Sequence, residues 1–372
     1  MANRLKQVAL IEFFGIGGTA DYTDCLARAL AARGIRVSVV TSGLFEPLTA
    51  DPPYEVVRPF TYSPEQPKPF KAIQLLRAIG PARAYLEALG PDIVHAQGTV
   101  LPAVERLLYR GLRPVTVCTV HDAHAHERRP WLGSFTHFYR NFDRLICHSE
   151  STRRRVTAAL PNARIAVVPH GLYAPLATAE VDREAARRQL DLRPDATVAL
   201  FFGFIRRYKG LELFLDALRV ARDQGRELVG LVAGRPLYDV SPLVRRVQRE
   251  GLPVSWQLRF IAREEIASFF AAADVVALPY VDTSDSGAFE LAAAFRRPVV
   301  VTDAGGLAEA FARYRYGAIL WERTAAALAD ALLARYPEPP LHGPTNSWDA
   351  VAERTVAVYE QARGLRQEAL AG

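Results

Sequence analysis

The sequence predicts an α/β chain of two domains of similar size, each a parallel β-sheet covered by helices on both faces. Three observations predict it. The chain has 372 residues with 50% hydrophobic content, apolar material for more than one packed core. Short apolar runs alternate with helical stretches along its length, the pattern of buried parallel strands joined by crossover helices. The series also starts twice, each time with an apolar run that ends in glycine and feeds a helix.

The first series opens with the run Val8 to Phe14, which ends in Gly15-Ile16-Gly17-Gly18 and leads into an amphipathic helix over Tyr22 to Arg33. Further strands are predicted at Val37 to Thr41, Asp92 to His95, Val115 to Val120 and Leu145 to His148, with helices at Ile79 to Leu89 and Leu101 to Arg110. The Pro-rich stretch Tyr62 to Phe70 reads as a surface loop. Val167-Val168-Pro169-His170-Gly171 is a strand and turn, and Leu172 to Val181 a linker. The second series starts with the strand Val198 to Phe202, ends in Gly203 and feeds a helix over Leu211 to Asp223. Strands follow at Leu228 to Ala233, Val254 to Phe260, Val275 to Leu278 and Val299 to Thr302, with helices between them. The domains are therefore drawn at 1–172 and 173–347, followed by a C-terminal helix, Trp348 to Gln367, within 348–372.

Composition narrows the function. No run of eighteen or more apolar residues occurs, and Met1 to Lys6 leads into a strand without a signal-peptide cleavage pattern, so a soluble, cytoplasmic protein is expected. Cys25, Cys118 and Cys147 have neither zinc nor redox spacing and read as interior thiols. A net charge of +6 suits an anionic partner: a phosphorylated ligand, an acidic lipid surface or a nucleic acid. Nucleic acid is set aside, because Arg153-Arg154-Arg155 lacks interleaved aromatics or a recognised motif. Lysine occurs only at Lys6, Lys68, Lys71 and Lys209 in this arginine-rich chain, which makes Lys209, inside a glycine-flanked segment, conspicuous.

Ligands of open parallel sheets bind at the carboxyl ends of the strands, where helix-start amides point at an anion. The first such edge offers Gly17, Gly18 and Thr19, although Gly15-Ile16-Gly17-Gly18-Thr19-Ala20 does not keep the dinucleotide spacing. The second offers Gly203-Phe204-Ile205-Arg206-Arg207-Tyr208-Lys209-Gly210. His121, at a strand end, begins a segment in which His124 and His126 alternate with Asp122 and Glu127, a spacing that a zinc site would share. No metal is assigned there, and a polar loop is the plain alternative.

The segment from Phe202 to Gly210 resembles the phosphate-binding segment of the GT4 family of retaining glycosyltransferases, which have the GT-B fold: two Rossmann-like domains with parallel sheets facing a central cleft. Pro279-Tyr280, Ser286-Gly287, Arg297-Pro298-Val299-Val300, Thr302 and Gly305-Gly306-Leu307 with Glu309 resemble the family's donor region. Weaker likenesses, among them His148-Ser149-Glu150 and Ala233-Gly234-Arg235, extend the match over most of the chain.

The resemblance implies transfer of a sugar from a nucleotide diphosphate sugar donor to a hydroxyl acceptor, in polysaccharide, glycolipid or other glycoconjugate synthesis. Arg206 and Lys209 would hold the diphosphate and replace a metal, so no cofactor is implied. His121 and Asp282 would approach the sugar. Gly17, Gly18, Thr19, Gly203, Ser286, Gly287 and Glu290 would bind the donor, and His124, His126, Glu127, Arg128 and Arg129 would line the acceptor side. Peripheral contact at the inner face of a membrane is a further implication. The chain also departs from the family, whose two glutamates lie eight positions apart. Asp282 and Glu290 keep that spacing, but counting back from Pro298 puts the second slot at Leu291, and Arg296 stands where the family has glycine. One helical residue is a turn of about 100°, so Glu290 is offset from the ribose contact. Two rivals share the architecture, a nucleotide-sugar epimerase and a non-catalytic nucleotide-sugar-binding subunit.

Overall fold

A computed structural model describes residues 5–61, 66–121, 133–177, 181–337 and 346–371. Two compact units divide the chain. One comprises Met1–Gly171 with Thr345–Gly372, the other Leu172–Pro344.

The first unit holds seven strands: β1 (Gln7–Ile11), β2 (Arg36–Ser42), β3 (Glu55–Phe60), β4 (Ile93–Gln97), β5 (Val115–Thr119), β6 (Arg144–Cys147) and β7 (Ile165–Val167). They pair in parallel in the order β3-β2-β1-β4-β5-β6-β7. Order reverses between β1 and β4, the place where doubly wound sheets open a crevice for ligands. Successive side chains of β1 point to opposite faces. Val8 and Leu10 enter a core closed by the helix Gly18–Ala32 and the C-terminal helix Trp348–Ala371, while Ala9 and Ile11 enter a second core under the helices Lys68–Leu89 and Pro102–Tyr109. His95 of β4 ties the C-terminal helix down, its two ring nitrogens lying 2.6 Å from the Tyr359 hydroxyl and 2.8 Å from that of Thr119. Burial drives the imidazole pKa to about 3, so the ring is neutral.

The second unit holds β8 (Val198–Phe202), β9 (Val229–Ala233), β10 (Val254–Gln257), β11 (Val275–Leu278), β12 (Val299–Thr302) and β13 (Gly317–Leu320). All pair in parallel, in the order β10-β9-β8-β11-β12-β13. The reversal here falls between β8 and β11. Ala199 and Phe201 pack under the helices Leu211–Asp223 and Ala325–Leu333.

The expected α/β class with two parallel sheets is therefore observed. Details differ from the reading of the sequence. The helix read as Ile79 to Leu89 begins at Lys68, inside the stretch read as a loop, because Gly80 and Pro81 sit within it and break the pattern. The edge strands β3 and β13 lie outside the predicted set: Glu55–Phe60 includes Arg58 and Pro59, and Gly317–Leu320 is only four residues long, with Leu320 alone buried. Among the described residues, no helix is long and apolar enough to cross a membrane.

Candidate active site

In the second unit the loops leaving β8 and β11 are stitched together. Arg206 precedes a short 3-10 turn, Arg207–Lys209, and Gly210 then starts the helix Leu211–Asp223 in a left-handed conformation, φ 73°. A Cβ on Gly210 would lie 2.0 Å from the Pro279 carbonyl oxygen, so only glycine fits between the loops. The Val281 amide donates to Tyr208 O at 2.7 Å. Lys209 points back over the strand end, its Nζ 3.5 Å from Phe202 O and 5.4 Å from the centre of the Tyr280 ring. A Cβ on Gly203 would come within 3.0 Å of that ammonium.

Burial lowers the Lys209 pKa, and the neighbouring Arg206 guanidinium lowers it further. Arg206 is exposed. Neither cation has a carboxylate partner within 4.0 Å among the described residues. Two adjacent positive charges, one partly desolvated, are held at the switch point without a counter-ion, which is how a protein prepares for an anionic ligand.

Tyr280, 1% exposed, links this pair to the next element. Its hydroxyl accepts from Ser286 Oγ at 3.4 Å, and Ser286 caps the helix Gly287–Ala294 by accepting from the Phe289 amide. The amides of Gly287 and Ala288 head that helix beyond the cap. Asp282 is half-buried in the loop between Tyr280 and Ser286, which Arg323 braces by donating to Val281 O at 2.9 Å. Lys209, Tyr280 and Ser286 thus form a continuous chain of contacts, with Gly203, Arg206, Asp282 and Gly287 adjacent in sequence or space.

Glu290 stands apart from that group. It is 4% exposed, burial raises its pKa to about 8, and the charge that opposes this shift is Arg313 on the next helix, Leu307–Tyr314. The same helix Gly287–Ala294 ends in Phe295, and Arg296 follows with φ 52°, a conformation that costs an L-residue about 1–2 kcal/mol. Glycine suits it. Arg296→Gly is expected to stabilise the protein by about 0.5–1 kcal/mol after the larger chain entropy of glycine is set against the relieved strain. A thermal melt checks this, and a lowered Tm would contradict it.

The first unit offers a different chemistry. Gly17, φ 76°, starts the helix Gly18–Ala32 without a side-chain cap; Gly18 is exposed, Thr19 half-buried. The loop before it is fixed from beneath by Glu12, whose carboxylate accepts from Phe14 N at 2.8 Å, Gly15 N at 2.7 Å and Thr41 Oγ1 at 2.9 Å. Glu105 does the same for the loop after β4, accepting from Val100 N at 2.7 Å and Leu101 N at 2.5 Å. Burial raises both carboxyl groups to about 7. The folded value lies above the unfolded one, so the native state holds more protons between about pH 4.5 and 7, and stability falls as pH rises through that window. Glu105→Gln keeps an acceptor and cannot ionise. Denaturant unfolding at pH 5 and pH 8 should show the variant gaining about 2 kcal/mol on the wild type; a pH-independent difference would contradict the assignment.

His121, His148 and His170 follow the adjacent strands β5, β6 and β7 and collect around the ring of Tyr22, whose centroid lies 4.8, 5.1 and 5.0 Å from theirs. His148 Nδ1 donates to Val168 O at 2.9 Å, and in the tautomer protonated there Nε2 is an acceptor. His121 Nδ1, 3.4 Å away, then carries its proton toward that acceptor, and His121 Nε2 is left with a lone pair. Gln97 lies 3.4 Å from Nε2, and its amide nitrogen is buried without a partner. Turning the amide nitrogen toward His121 satisfies both groups. Burial holds the His121 pKa well below its usual value, with His148, His170 and His95 adding to the effect, so the ring is a neutral, oriented acceptor.

His148 and His170 carry no role in the sequence reading above. Their signal is positional: a histidine within one to three residues of three neighbouring strand ends puts all three at one sheet edge. Asp122, His124, His126, Glu127, Arg128 and Arg129 lie outside the described residues, so the zinc spacing and the acceptor-side segment have no structural account; no metal-binding cluster occurs among the described residues. Of the three consecutive arginines, Arg153 pairs with Glu150 at 2.6 Å and only Arg154 is exposed.

Residues 16–173 match the family described as Glycosyltransferase Family 4, and residues 196–336 match Glycosyl transferases group 1. The chain is 28% identical to D-inositol 3-phosphate glycosyltransferase from Actinosynnema mirum, with 95% of this chain and 94% of the relative covered. It spans about half the length of other relatives of that description, such as that from Corynebacterium urealyticum, 31% identical over 55% of this chain and 53% of the relative. Sucrose-phosphate synthase from Thermosynechococcus elongatus superposes with a TM-score of 0.67 at 22% identity, 98% of each chain being covered. Anabaena HepE in complex with UDP-glucose gives 0.67 at 19%, covering 98% of this chain and 99% of that one. These likenesses to solved structures establish the GT-B fold.

Proposed function

The chain belongs to glycosyltransferase family 4, and from that membership we propose that it is a retaining transferase moving a sugar from a nucleotide diphosphate donor to an acceptor hydroxyl. Membership makes it a glycosyltransferase rather than an epimerase or a binding subunit. The cation pair Arg206 and Lys209, unpaired by any carboxylate among the described residues at the β8 strand end, carries the reading.

Breaking the bond between sugar and diphosphate leaves negative charge on the departing oxygen. Cations fixed beforehand stabilise that charge without reorganising, and no metal is needed for it. Lys209 and Arg206 take the diphosphate, with the Gly203 turn, Ser286 and the Gly287 amide beside it. Gly17, Gly18 and Thr19 present the amides of a second helix start to the donor. In the second unit Asp282 takes a sugar hydroxyl, and in the first unit His121, positioned by His148 and Gln97, is the group that approaches the sugar. Glu290, neutral through burial, serves as a hydrogen-bond donor or acceptor rather than as a charge. The acceptor hydroxyl attacks from the face the diphosphate leaves, which preserves anomeric configuration.

HepE was solved with UDP-glucose, and the curated relatives are named for an inositol phosphate. UDP-sugars with cyclitol and sugar acceptors therefore head the panel to be screened. Peripheral contact with a membrane belongs to the same reading, supported by the cationic surface of the first unit. Release of nucleoside diphosphate should depend on acceptor, and NMR of the product should show the donor's anomeric configuration. An inverted product would contradict retention, and absence of release across the panel would contradict transfer.

A further inference from the structure

Tyr280 is 1% exposed just beyond β11, yet its hydroxyl has more hydrogen-bonding capacity than the fold uses. A phenol has one proton to give and lone pairs with which to accept. The Tyr280 hydroxyl accepts from Ser286 Oγ at 3.4 Å, and Ser286 Oγ in turn accepts from the Phe289 amide at 3.3 Å. Among the described residues, no acceptor takes the Tyr280 proton. The count does not depend on which hydroxyl donates to the other: two protons share one bond, and one is left over. Buried phenols ordinarily find a partner for that proton, because leaving it unmet costs the desolvation of the group.

The residue is held from several sides. Thr302 Oγ1, at the end of β12, donates to Tyr280 O, and the amide of the next residue, Val281, donates to Tyr208 O at 2.7 Å. The Tyr208 ring meets the Tyr280 ring edge-on, with centroids 5.9 Å apart and planes at 89°. A phenol held in this way is oriented before any ligand arrives. Its ring and its hydroxyl serve different neighbours: Lys209 Nζ lies 5.4 Å from the ring centre, and Ser286 caps the start of the helix Gly287–Ala294. Burial raises the phenol pKa, so the proton stays on the oxygen. An ammonium and a helix start both favour negative charge nearby. Water would satisfy the spare proton and leave the ammonium without a counter-ion. A phosphoryl oxygen satisfies both.

We propose that the Tyr280 hydroxyl is a further diphosphate-binding group, donating its spare proton to a phosphoryl oxygen beside Lys209. This rests on the reading of Lys209 as a diphosphate ligand and adds a neutral donor to the two cations. The proton is shared and not transferred. Tyr280→Phe tests the contact, because it keeps the ring beside Lys209 and removes only the hydroxyl. In calorimetric titration of the full chain with inorganic pyrophosphate, a diphosphate without base or sugar, wild type should bind and Tyr280→Phe should bind about tenfold more weakly or worse, the scale of one hydrogen bond to a charged group. The variant should melt no lower than wild type, since the fold loses a buried proton donor that it does not satisfy. Unchanged pyrophosphate affinity would overturn the proposal, as would a lowered melting temperature, which would assign the hydroxyl to the fold. Lys209→Met in the same titration keeps the two assignments apart. If it loses pyrophosphate while Tyr280→Phe keeps it, the cation stands and the phenol contact falls; if it keeps pyrophosphate while Tyr280→Phe loses it, the cation falls and the phenol contact stands. Wild type that binds no pyrophosphate overturns both.

Discussion

Lys209→Met is expected to lower turnover by about a hundredfold or more, the scale of losing one preorganised donor to a developing negative charge. Methionine keeps the packing of the stem over Tyr280 and removes only the ammonium. The loss should fall mainly on kcat, because the charge matters most once it has moved onto the leaving diphosphate. Stability should move the other way. Burial and Arg206 both disfavour the Lys209 charge in the protein without ligand, so the variant should be at least as stable as wild type. Steady-state kinetics with a thermal melt checks both signs, and near-normal turnover would remove Lys209 from the site. Arg206→Ala is expected to act in the same direction.

Gly210→Ala is expected to be the most damaging single substitution in the second unit. The residue has φ 73°, and an added Cβ would sit 2.0 Å from the backbone oxygen of Pro279. Backbone cannot swing aside as a flexible side chain would. Relief requires the 3-10 turn that carries Lys209 to separate from the loop that carries Tyr280, breaking the Val281 to Tyr208 hydrogen bond. The left-handed conformation alone costs about 1–2 kcal/mol, and the clash adds to it, so a loss of about 3 kcal/mol or more is expected. Denaturant unfolding measures it. Unchanged stability would show that the two loops are not locked as described.

The parts of the fold legible in the sequence are those where one local rule decides. Val198–Phe202, Leu211–Asp223, Val275–Leu278 and Val299–Thr302 occupy the predicted positions. Each is a clean apolar run or a one-sided helix bounded by glycine, proline or a charge. What escaped depends on neighbours. Edge strands β3 and β13 bury one side at most, so β3 tolerates Arg58 and Pro59 and β13 is a run of only four residues, too short to stand out. The first turns of Lys68–Leu89 carry apolar residues on two faces, which blurs the period that marks a helix. Glu12 and Glu105 look like ordinary charged residues in one dimension, and only the folded loops show them holding backbone amides from below. The Arg206 and Lys209 segment was legible for the opposite reason: a strand end, a lysine rare in this chain and a helix start follow one another within nine residues, Phe202 to Gly210.

Calorimetric titration of wild type, Lys209→Met and Arg206→Ala with the nucleoside diphosphate released in the donor screen and with its parent nucleoside tests the central assignment most directly. Wild type should bind the diphosphate about a hundredfold more tightly than the nucleoside, equivalent to about 2.7 kcal/mol, and each variant should lose most of that difference while binding the nucleoside as before. Variants that discriminate the two ligands as well as wild type does would show that the diphosphate is held elsewhere.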